Sequence, residues 1–383
     1  MGKNQVCVYA KKCGGCDYQG IEYEKQLAMK QKAVEKLLSD NCKVDNIIGA
    51  QNPYHYRNKV HGVFGRDKKG SVYTGIYQEG THTIIPVENC LIENETASQI
   101  LITLSKLVQS FKLKVYDEDR QTGLFRHALI RVGHATGQIL VVLVLSSPVF
   151  PSKNNFIAAL CKAHPEITSV VLNVNQKRTN MILGDKNIVL YGKGYIEDKL
   201  CGLTFRISPH SFYQINSWQT EVLYQKALEF AGLTGTQRVI DAYCGIGTIG
   251  MAAAAHAGEV IGVELNKAAV DDARVNAKLN GIKNIRFVND DAGKFMVKMA
   301  GAHEKADVVL MDPPRSGSTE EFIDAVRILA PKRVVYISCN PVTLARDLKV
   351  FVKKGYRAQR IVPVDMFGFT EHVECVALLI KRC

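Results

Sequence analysis

Apolar and polar residues alternate differently in the two parts of this chain of 383 residues. After about residue 204, short apolar runs rich in Val and Ile alternate with stretches in which apolar residues recur every three or four positions. Such an alternation of strands and helices predicts an α/β, Rossmann-like fold with a parallel sheet covered on both faces. We expect about seven strands there, the last two forming an antiparallel hairpin at the edge of the sheet.

The region before residue 204 has a different pattern. Short alternating strands follow one another with glycine turns between them. This pattern predicts an α+β domain over residues 1–203, followed by the α/β domain over residues 204–383. A helix is predicted over residues 21–38, and we expect part of it to pack on the second domain.

The charge of the chain narrows the class of partner. A formal net charge of +12 and a pI of about 9.1 favour a polyanionic partner, most simply nucleic acid. A basic enzyme with an ordinary solvated sheet face remains the alternative. The candidate phosphate-binding residues of the first region are Arg57, Lys59, His61, Arg66, Lys68, Lys69, Arg126 and Arg131.

The apolar runs are too short for a membrane protein of the helical type. The longest strongly apolar segment, Ile139–Leu145, has the length of a strand, whereas a spanning helix needs ~18 residues. The first residues also lack the core of a signal peptide. We therefore expect a cytoplasmic protein, in which the 11 cysteines serve metal binding or chemistry rather than disulfides.

A group of three cysteines opens the chain. Cys7, Cys13 and Cys16 lie within ten residues, and the glycines between the last two allow the backbone to wrap closely around a metal. Cys90 stands beside turn-forming residues and is the best fourth ligand. Four thiolates suit an iron–sulfur cluster, and zinc accepts the same ligands, so the ligand set alone leaves both open.

A glycine loop in the second domain indicates a nucleotide-like ligand. Gly245, Gly247 and Gly250 follow a predicted strand and open a helix, a pattern of low specificity. Glu264 ends the next strand, where a carboxylate can bind a ribose diol. Asp241 beside the loop would repel a pyrophosphate and suits a cofactor that carries a sulfonium cation.

The most informative stretch lies near the C-terminal end. Residues 333–338 form an apolar strand that ends at Ser338-Cys339-Asn340-Pro341, and a helix with Thr343 as its capping residue is predicted to follow. Cys339 therefore lies at the carboxyl end of a strand, where open α/β sheets hold their reacting groups. Taken alone, the stretch favours a buried structural cysteine, which is what most cysteines are, and the rest of the chain changes that interpretation.

These motifs together carry a resemblance. The Ser-Cys-Asn-Pro stretch at Cys339, the following Thr-x-x-Arg-Asp, and Thr-x-His-Val-Glu ending at Glu374 resemble the RNA 5-methyluridine methyltransferases. Members of that family methylate 23S ribosomal RNA or transfer RNA, and the resemblance runs from Cys7 to Glu374. It implies a methyltransferase domain that uses S-adenosylmethionine, preceded by an RNA-binding domain.

The resemblance also implies roles for particular residues. Cys339 would be the nucleophile and Glu374 the general base. The residues expected to contact S-adenosylmethionine are Gln214, Tyr243, Glu264, Asp291 and Asp312. The residues expected to hold a [4Fe-4S] cluster are Cys7, Cys13, Cys16 and Cys90. We further expect that Arg346, close to Cys339 in sequence, favours the thiolate.

The target RNA follows less directly. Many members begin with an additional RNA-binding β-barrel, whereas here the cysteine motif starts at residue 7, so we expect that barrel to be absent. The spacing of Cys7 and Cys13 resembles the 23S ribosomal RNA enzymes, which makes that RNA the expected partner of a monomeric enzyme. A transfer RNA methyltransferase and, in a different class, a non-catalytic RNA-binding protein or another Rossmann-like enzyme are the alternatives.

Overall fold

The computed structural model describes residues 6–40, 42–78, 80–179 and 181–382. The described chain forms two compact units, each assembled from separate segments. The first unit contains described residues within Met1–Gly20, Asn52–Lys199 and Arg206–His210. The second contains those within Ile21–Gln51, Leu200–Phe205 and Ser211–Cys383.

The first unit is built on a seven-stranded sheet in the order β4-β3-β2-β5-β6-β7-β8. Neighbouring strands are antiparallel except β6 and β7, which are parallel and joined through helix α4. Its helices are α1 (Ala10–Cys13), α3 (Glu95–Ser110) and α4 (Lys153–Ala163). Its strands are β2 (Lys59–Arg66), β3 (Val72–Tyr77), β4 (Ile84–Pro86), β5 (Phe125–Val132), β6 (Ile139–Leu145), β7 (Ile167–Val174) and β8 (Lys186–Tyr191).

The core of the first unit lies between this sheet and two helices. The side chains of Ile100 and Leu104 on α3 and of Phe156 on α4 are fully buried against Phe125 and Val141 of the sheet. Every residue of β6 is buried, which explains why that strand reads as a continuous apolar run rather than an alternating one. β9 (Ile196–Leu200) and β10 (Leu203–Ile207) form a separate two-stranded sheet.

The second unit has the doubly wound α/β architecture that the sequence predicts. Its strands are β1 (Lys43–Val44), β11 (Arg238–Ala242), β12 (Glu259–Glu264), β13 (Ile285–Asn289), β14 (Val308–Met311), β15 (Arg333–Ser338), β16 (Tyr356–Val364) and β17 (Glu374–Lys381). Its helices are α2 (Tyr23–Leu38), α5 (Ser217–Ala231), α6 (Thr248–Ala254), α7 (Lys267–Leu279), α8 (Ala292–Gly301), α9 (Glu320–Leu329) and α10 (Pro341–Lys353).

The strand order of this sheet is β13-β12-β11-β14-β15-β17-β16-β1. β17 is antiparallel to both of its neighbours, and the remaining pairs are parallel. The seven strands expected from the sequence are present, and the two-residue strand β1 adds an eighth beyond them. β1 escaped the sequence analysis because two residues carry no periodicity.

Residues 21–51 lie in the second unit; the sequence analysis assigned them to the domain over residues 1–203 and expected part of the helix over residues 21–38 to pack on the second domain. Val34 and Leu38 of α2 are completely buried in the core of the second unit. The Nζ atom of Lys30 lies 2.6 Å from the Oδ1 atom of Asp365, and both side chains are fully buried. Tyr23 donates a hydrogen bond of 2.6 Å from its hydroxyl to the other oxygen of Asp365.

None of the helices in the described part of the chain is long and apolar enough to cross a membrane.

Candidate active site

The candidate site residues of the second unit lie at the carboxyl edge of its parallel strands. Tyr243 follows β11, Glu264 ends β12, Asp312 follows β14 and Cys339 follows β15. β11 and β14 are neighbours in the sheet, and the chain runs outward in opposite directions from them. A crevice of this kind is where open α/β sheets bind their ligands. The fold therefore places these four side chains, which are far apart in sequence, at the same edge of the sheet.

Cys339 and Glu374 are brought together by the pairing of β15 with β17. Ser338 is the last residue of β15 and stands opposite Cys375. Because the pairing is antiparallel, the next step places Cys339 across from Glu374. Asn340 then caps α10 by accepting a hydrogen bond of 3.1 Å from the backbone N–H of Val342, and Pro341 occupies the first turn. The helix thus begins at Pro341 with Asn340 as its cap, and the expectation that Thr343 is the capping residue is wrong.

The pKa values in this crevice are raised because its charged groups are withdrawn from water. Burial, followed by the charges of Glu374 and Asp312, raises the pKa of the Cys339 thiol to about 11, and Arg315 opposes this shift. The pKa of Glu374 is raised, first by burial and then by Asp312, and Arg315 again opposes the shift. Burial also raises the pKa of Asp312. Raised carboxyl pKa values are typical of sites in which a carboxylate must accept a proton.

A cavity of about 340 Å³ opens beside Cys339. One wall is apolar and comes from α2, through Ala33, Val34 and Leu37. The polar lining comes from Arg315, Asn340, Glu371 and His372. A cavity of this size can admit a nucleotide base, and its polar side can orient it.

The glycine loop lies over a buried carboxyl group. A Cβ atom on Gly250 would lie 2.5 Å from Oδ2 of Asp241, so only glycine fits there. Gly247 has φ +84°, a conformation that other residues rarely adopt. Burial, with Asp312 and Glu264 adding to it, raises the pKa of Asp241 to about 8, although a hydrogen bond from Gly250 opposes the shift. Oδ2 of Asp241 has no hydrogen-bond partner among the described residues, so a cationic ligand over the loop would find a buried acceptor.

Two of the residues expected to contact the cofactor, Glu264 and Tyr243, adjoin this loop. Glu264 accepts hydrogen bonds from the backbone N–H groups of Gly245 at 3.0 Å and Asn266 at 2.7 Å. Its two oxygens keep lone pairs for a further donor such as a ribose hydroxyl. Tyr243 is half-buried with φ +67°, an uncommon conformation for a residue with a side chain.

Two further residues of that set, Gln214 and Asp291, belong to the same unit. Gln214 is buried in the segment that precedes α5. Asp291 is the N-cap of α8 and accepts a hydrogen bond of 3.0 Å from the backbone N–H of Lys294. One oxygen of Asp291 therefore has a structural role that the sequence analysis did not assign.

The arginine beside Cys339 is Arg315, and the expectation that Arg346 serves this purpose is wrong. The guanidinium of Arg346 contacts Asp347 at 2.7 Å and the carbonyl oxygen of Ser316 at 2.8 Å. Arg315 instead lines the cavity and approaches Nε2 of His372 at 3.5 Å. Sequence distance from Cys339 was a poor guide, because α10 turns Arg346 towards the preceding loop.

The four cysteines of the proposed cluster are gathered in the first unit. All four are free thiols, and electrostatic interactions connect Cys7 with Cys13, both with Cys16, and Cys16 with Cys90. Burial is the main cause that raises the pKa of Cys90 to about 12. Among the residues that the structure describes, no group of three or more His, Cys, Asp or Glu side chains is arranged for a single metal ion. A cubane cluster distributes its thiolates over different irons, so this donor set is compatible with a cluster.

Two of the arginines expected to bind phosphates have structural roles. Arg126 is 2% exposed, pairs with Glu118 at 2.8 Å and donates to the carbonyl oxygens of Asn175 and Lys177. Arg131 is 5% exposed. The prediction that these two residues contact RNA is therefore wrong, whereas Arg66, Lys68 and Lys69 are exposed.

Comparisons with known proteins indicate the family to which this chain belongs. The chain matches the family described as tRNA (uracil-5-)-methyltransferase over residues 22–382. It is 45% identical over 383 residues to an uncharacterized RNA methyltransferase of Caldanaerobacter subterraneus subsp. tengcongensis, a match that covers 98% of this chain and 84% of that protein. It is 43% identical over 378 residues to another from Halalkalibacterium halodurans, with 97% and 82% covered.

A solved structure shows the same fold. The tRNA (uracil-54, C5)-methyltransferase of Pyrococcus abyssi, in complex with S-adenosyl-L-homocysteine, gives a TM-score of 0.79 at 27% sequence identity. The match covers 96% of this chain and 86% of that chain. The second unit is therefore a methyltransferase fold of the type that uses S-adenosylmethionine. The chain belongs to the tRNA (uracil-5-)-methyltransferase family, which places it among the RNA methyltransferases that act on C5 of uracil.

Proposed function

We propose that the protein methylates C5 of a uridine in 23S ribosomal RNA, as a monomer, with Cys339 as nucleophile and Glu374 as general base. One observation carries the assignment of roles: the pairing of β15 with β17 places Cys339 across from a buried carboxyl group at the edge of a cavity. Bound S-adenosylmethionine would supply the methyl group. The residues proposed to bind it are Gln214, Tyr243, Glu264, Asp291 and Asp312.

Cys339 would activate the target carbon, C5 of uracil, for methyl transfer. C5 of uracil is a weak nucleophile, and addition of the Cys339 thiolate to C6 forms a carbon–sulfur bond and leaves an enolate with electron density at C5. The target base must leave its stack to reach the thiolate. The cavity beside Cys339 has room for such a base, and its apolar wall from α2 would cover one side of it.

Glu374 would act after methyl transfer, by removing the proton from C5. Once C5 carries the methyl group it also retains its proton, and the carbon–sulfur bond breaks only when that proton is removed. The Glu374 carboxylate would take the proton, the C5–C6 double bond would form again, and Cys339 would leave as thiolate. Oε2 of Glu374 is buried without a hydrogen-bond partner among the described residues, so one oxygen is available as an acceptor.

The first unit is proposed to bind RNA and to hold a [4Fe-4S] cluster through Cys7, Cys13, Cys16 and Cys90. Exposed basic residues and four clustered free thiols support this assignment. Protein purified without oxygen should be brown, with broad visible absorption and about four irons per chain. Alanine at Cys13 and Cys90 should remove the iron, whereas Cys161→Ala, at a free cysteine on α4, should not. Colourless protein with one zinc would contradict the cluster.

A transfer RNA target is the second candidate, and the likeness to the Pyrococcus abyssi enzyme favours it. Against it, the spacing of Cys7 and Cys13 resembles the ribosomal RNA members. The test supplies radiolabelled S-adenosylmethionine and, separately, ribosomal and transfer RNA from cells that lack the enzyme. Label in 5-methyluridine of 23S RNA is expected; label in transfer RNA alone would replace the proposed target.

A further inference from the structure

The loop over residues 312–318 connects β14 to α9 and is held in place by the first two turns of α10. The Asn340 side chain donates a hydrogen bond of 3.2 Å to the carbonyl oxygen of Arg315. The hydroxyl of Thr343 donates one of 3.3 Å to the same oxygen. Both contacts fix the backbone of Arg315 itself. The residue that lines the cavity beside Cys339 is thus fastened at its own peptide group.

A second pair of residues fastens the remainder of the loop. Arg346 donates hydrogen bonds to the carbonyl oxygens of Ser316 at 2.8 Å and Ser318 at 3.1 Å. Asp347, which is 1% exposed, accepts a hydrogen bond of 2.7 Å from the backbone N–H of Ser318 and another of 2.7 Å from the hydroxyl of Tyr336. The pair is joined by a hydrogen bond of 2.8 Å from Nε of Arg346 to Oδ1 of Asp347.

Gly317 shows how closely the loop approaches this pair. Its φ is +78°, and a Cβ atom there would lie 2.6 Å from both the Arg346 guanidinium and the Asp347 carboxylate. Only glycine permits both the conformation and the contact. We call Asn340, Thr343, Arg346 and Asp347 the loop clamp.

The clamp leaves the Arg315 side chain facing the cavity. Its guanidinium approaches His372 at 3.5 Å and lowers the pKa values of Cys339 and Glu374 against the effect of burial. The other charged groups that act on the thiol, Glu374 and Asp312, both disfavour its ionisation. The remaining titratable residues that line the cavity are Glu371 and His372.

We propose that Arg315 stabilises the thiolate of Cys339, and that Arg346 and Asp347 are positioning residues that hold Arg315 beside it. Arg315 is then the cation that offsets the two carboxyl groups when the thiol gives its proton to solvent. This role of Arg315 rests on the proposed function, because it favours the thiolate that the reaction needs. Arg346 and Asp347 of the Cys339 motif then hold the loop in place and do not act directly on the thiol.

The reactivity of the thiol tests this proposal without RNA or S-adenosylmethionine. Only the thiolate reacts with iodoacetamide, so the rate at about pH 8 follows the thiolate fraction. Iodoacetamide is neutral and Arg315 does not attract it. Peptide mapping by mass spectrometry gives the rate at Cys339, with Cys42 and Cys201 as internal references. Their pKa values are also raised to about 11, mainly by burial, and their electrostatic neighbours are Asp45 and Glu221 rather than Arg315.

Arg315→Gln should slow alkylation of Cys339 about three- to tenfold relative to Cys42, as expected for a pKa rise of about half a unit to one unit. The substitution shortens a side chain in the cavity, so better access alone would give a faster reaction. Arg315→Lys keeps the charge and should stay within about twofold of the wild type. An unchanged or faster rate in Arg315→Gln would overturn the proposal.

The clamp is tested in the same assay. Arg346→Gln should slow alkylation of Cys339 in the same direction, and Arg346→Lys should give an intermediate rate. Arg327→Gln is the matched control, because Arg327 is an exposed arginine on α9 that pairs with Asp324. If Arg346→Gln fails to fold, Thr343→Val is used in its place, because it removes one hydrogen bond to the carbonyl oxygen of Arg315. A folded clamp variant with wild-type reactivity at Cys339 would refute the positioning role. If the alkylation rates are as expected but the wild type transfers no methyl group to RNA, only the proposed function is refuted.

Discussion

Cys339 and Glu374 occupy facing positions one step beyond the last paired residues of two antiparallel strands, Ser338 and Cys375. The last ladder pair therefore brings these two residues near each other, and the charge of Glu374 acts on the Cys339 thiol. In the proposed reaction, a nucleophile and a base act at successive steps on C6 and C5 of one ring, so both groups must lie close to that ring. β17 is the strand that runs against the rest of the sheet, and this reversal is what brings the start of β17 to the carboxyl end of β15.

RNA binding by the first unit should weaken with salt and depend on exposed rather than buried cations. Lys68 and Lys69 are exposed at the turn between β2 and β3. The slope of log K against log salt is negative. The double variant Lys68→Gln with Lys69→Gln should make it shallower by about one to two, since each phosphate contact contributes about one. Filter binding over a range of salt concentrations measures the slope.

The control for that experiment is Arg126→Gln. Arg126 pairs with Glu118 and with two backbone carbonyls, so its loss should lower the melting temperature without a specific change in salt dependence. A wild-type slope in the double lysine variant would contradict the assignment of this turn to RNA.

The buried ion pair of Lys30 and Asp365 should matter for stability. Both side chains are fully buried, and Asp365 also accepts a hydrogen bond from Tyr23. Lys30→Met leaves the Asp365 carboxylate buried without its cation, which should cost about 3–5 kcal/mol in the free energy of unfolding. Denaturant titration monitored by circular dichroism measures the change.

Removal of the unpaired charge should recover part of this loss. Lys30→Met with Asp365→Asn should be more stable than Lys30→Met alone, because the amide carries no charge. Lys25→Met is the matched control, since Lys25 of the same helix forms an exposed pair with Glu22, and little or no change in the free energy of unfolding is expected there. Equal stability of the three variants would contradict a structural role for the pair.

Sequence reasoning was most successful where the signal is local. The α/β fold is confirmed, and strands and helices alternate along the second unit as the apolar pattern predicts. Residues such as Glu264 and Cys339 were recognised because a strand end and a motif stand next to each other in the chain. The carboxyl ends of parallel strands then meet at one edge, which general rules of the fold supply.

The sequence was least informative where contacts join distant segments. Nothing local in Lys30 indicates a partner 335 residues away, so its burial is visible only in the structure. Arg126 reads as a surface cation until the carboxylate of Glu118 is seen beside it. Likewise, Arg346 is close to Cys339 in sequence, whereas Arg315 lies beside it in space.

The buried carboxyl group of Asp241 should make the ligand-free protein less stable as pH rises. Its pKa is raised to about 8 when folded, from an ordinary value near 4, so the folded state favours the protonated form. Stability from this group is therefore fully present below about pH 4 and is lost as pH rises through about 8. The stability of Asp241→Asn relative to the wild type should therefore increase by about 3–4 kcal/mol between about pH 5 and about pH 8.

Thermal melting at these pH values measures the difference. Asn can still accept the hydrogen bond from the backbone of Gly250, so the comparison isolates the charge. Asp324→Asn is the control, because Asp324 is partly exposed and paired with Lys354, which lowers its pKa. A stability difference between Asp241→Asn and the wild type that does not change with pH would contradict the assignment.

Cys339 and Glu374 act at successive steps in the proposed reaction, so their losses should differ. Cys339→Ala removes the nucleophile, and neither methyl transfer nor a covalent RNA adduct should be detectable. Glu374→Gln leaves the thiol able to add to C6 but removes the base that takes the C5 proton. Elimination should then stall, and a covalent protein–RNA species should accumulate as a slow band on a denaturing gel while turnover falls by about 10²-fold or more.

RNA that carries 5-fluorouridine separates this mechanism from non-specific crosslinking. Fluorine cannot leave C5 as a cation, so the wild type should be trapped on this RNA, and Cys339→Ala should not. Cys201→Ala is the matched control, because Cys201 is a half-buried free thiol of the same unit with a similarly raised pKa, and it should be trapped like the wild type. If Cys339→Ala still methylates RNA, or if the wild type is never trapped, the thiolate mechanism is wrong. Cys339 would then be a strand-end cysteine with a structural role, and the carboxyl group across from it would need a different explanation.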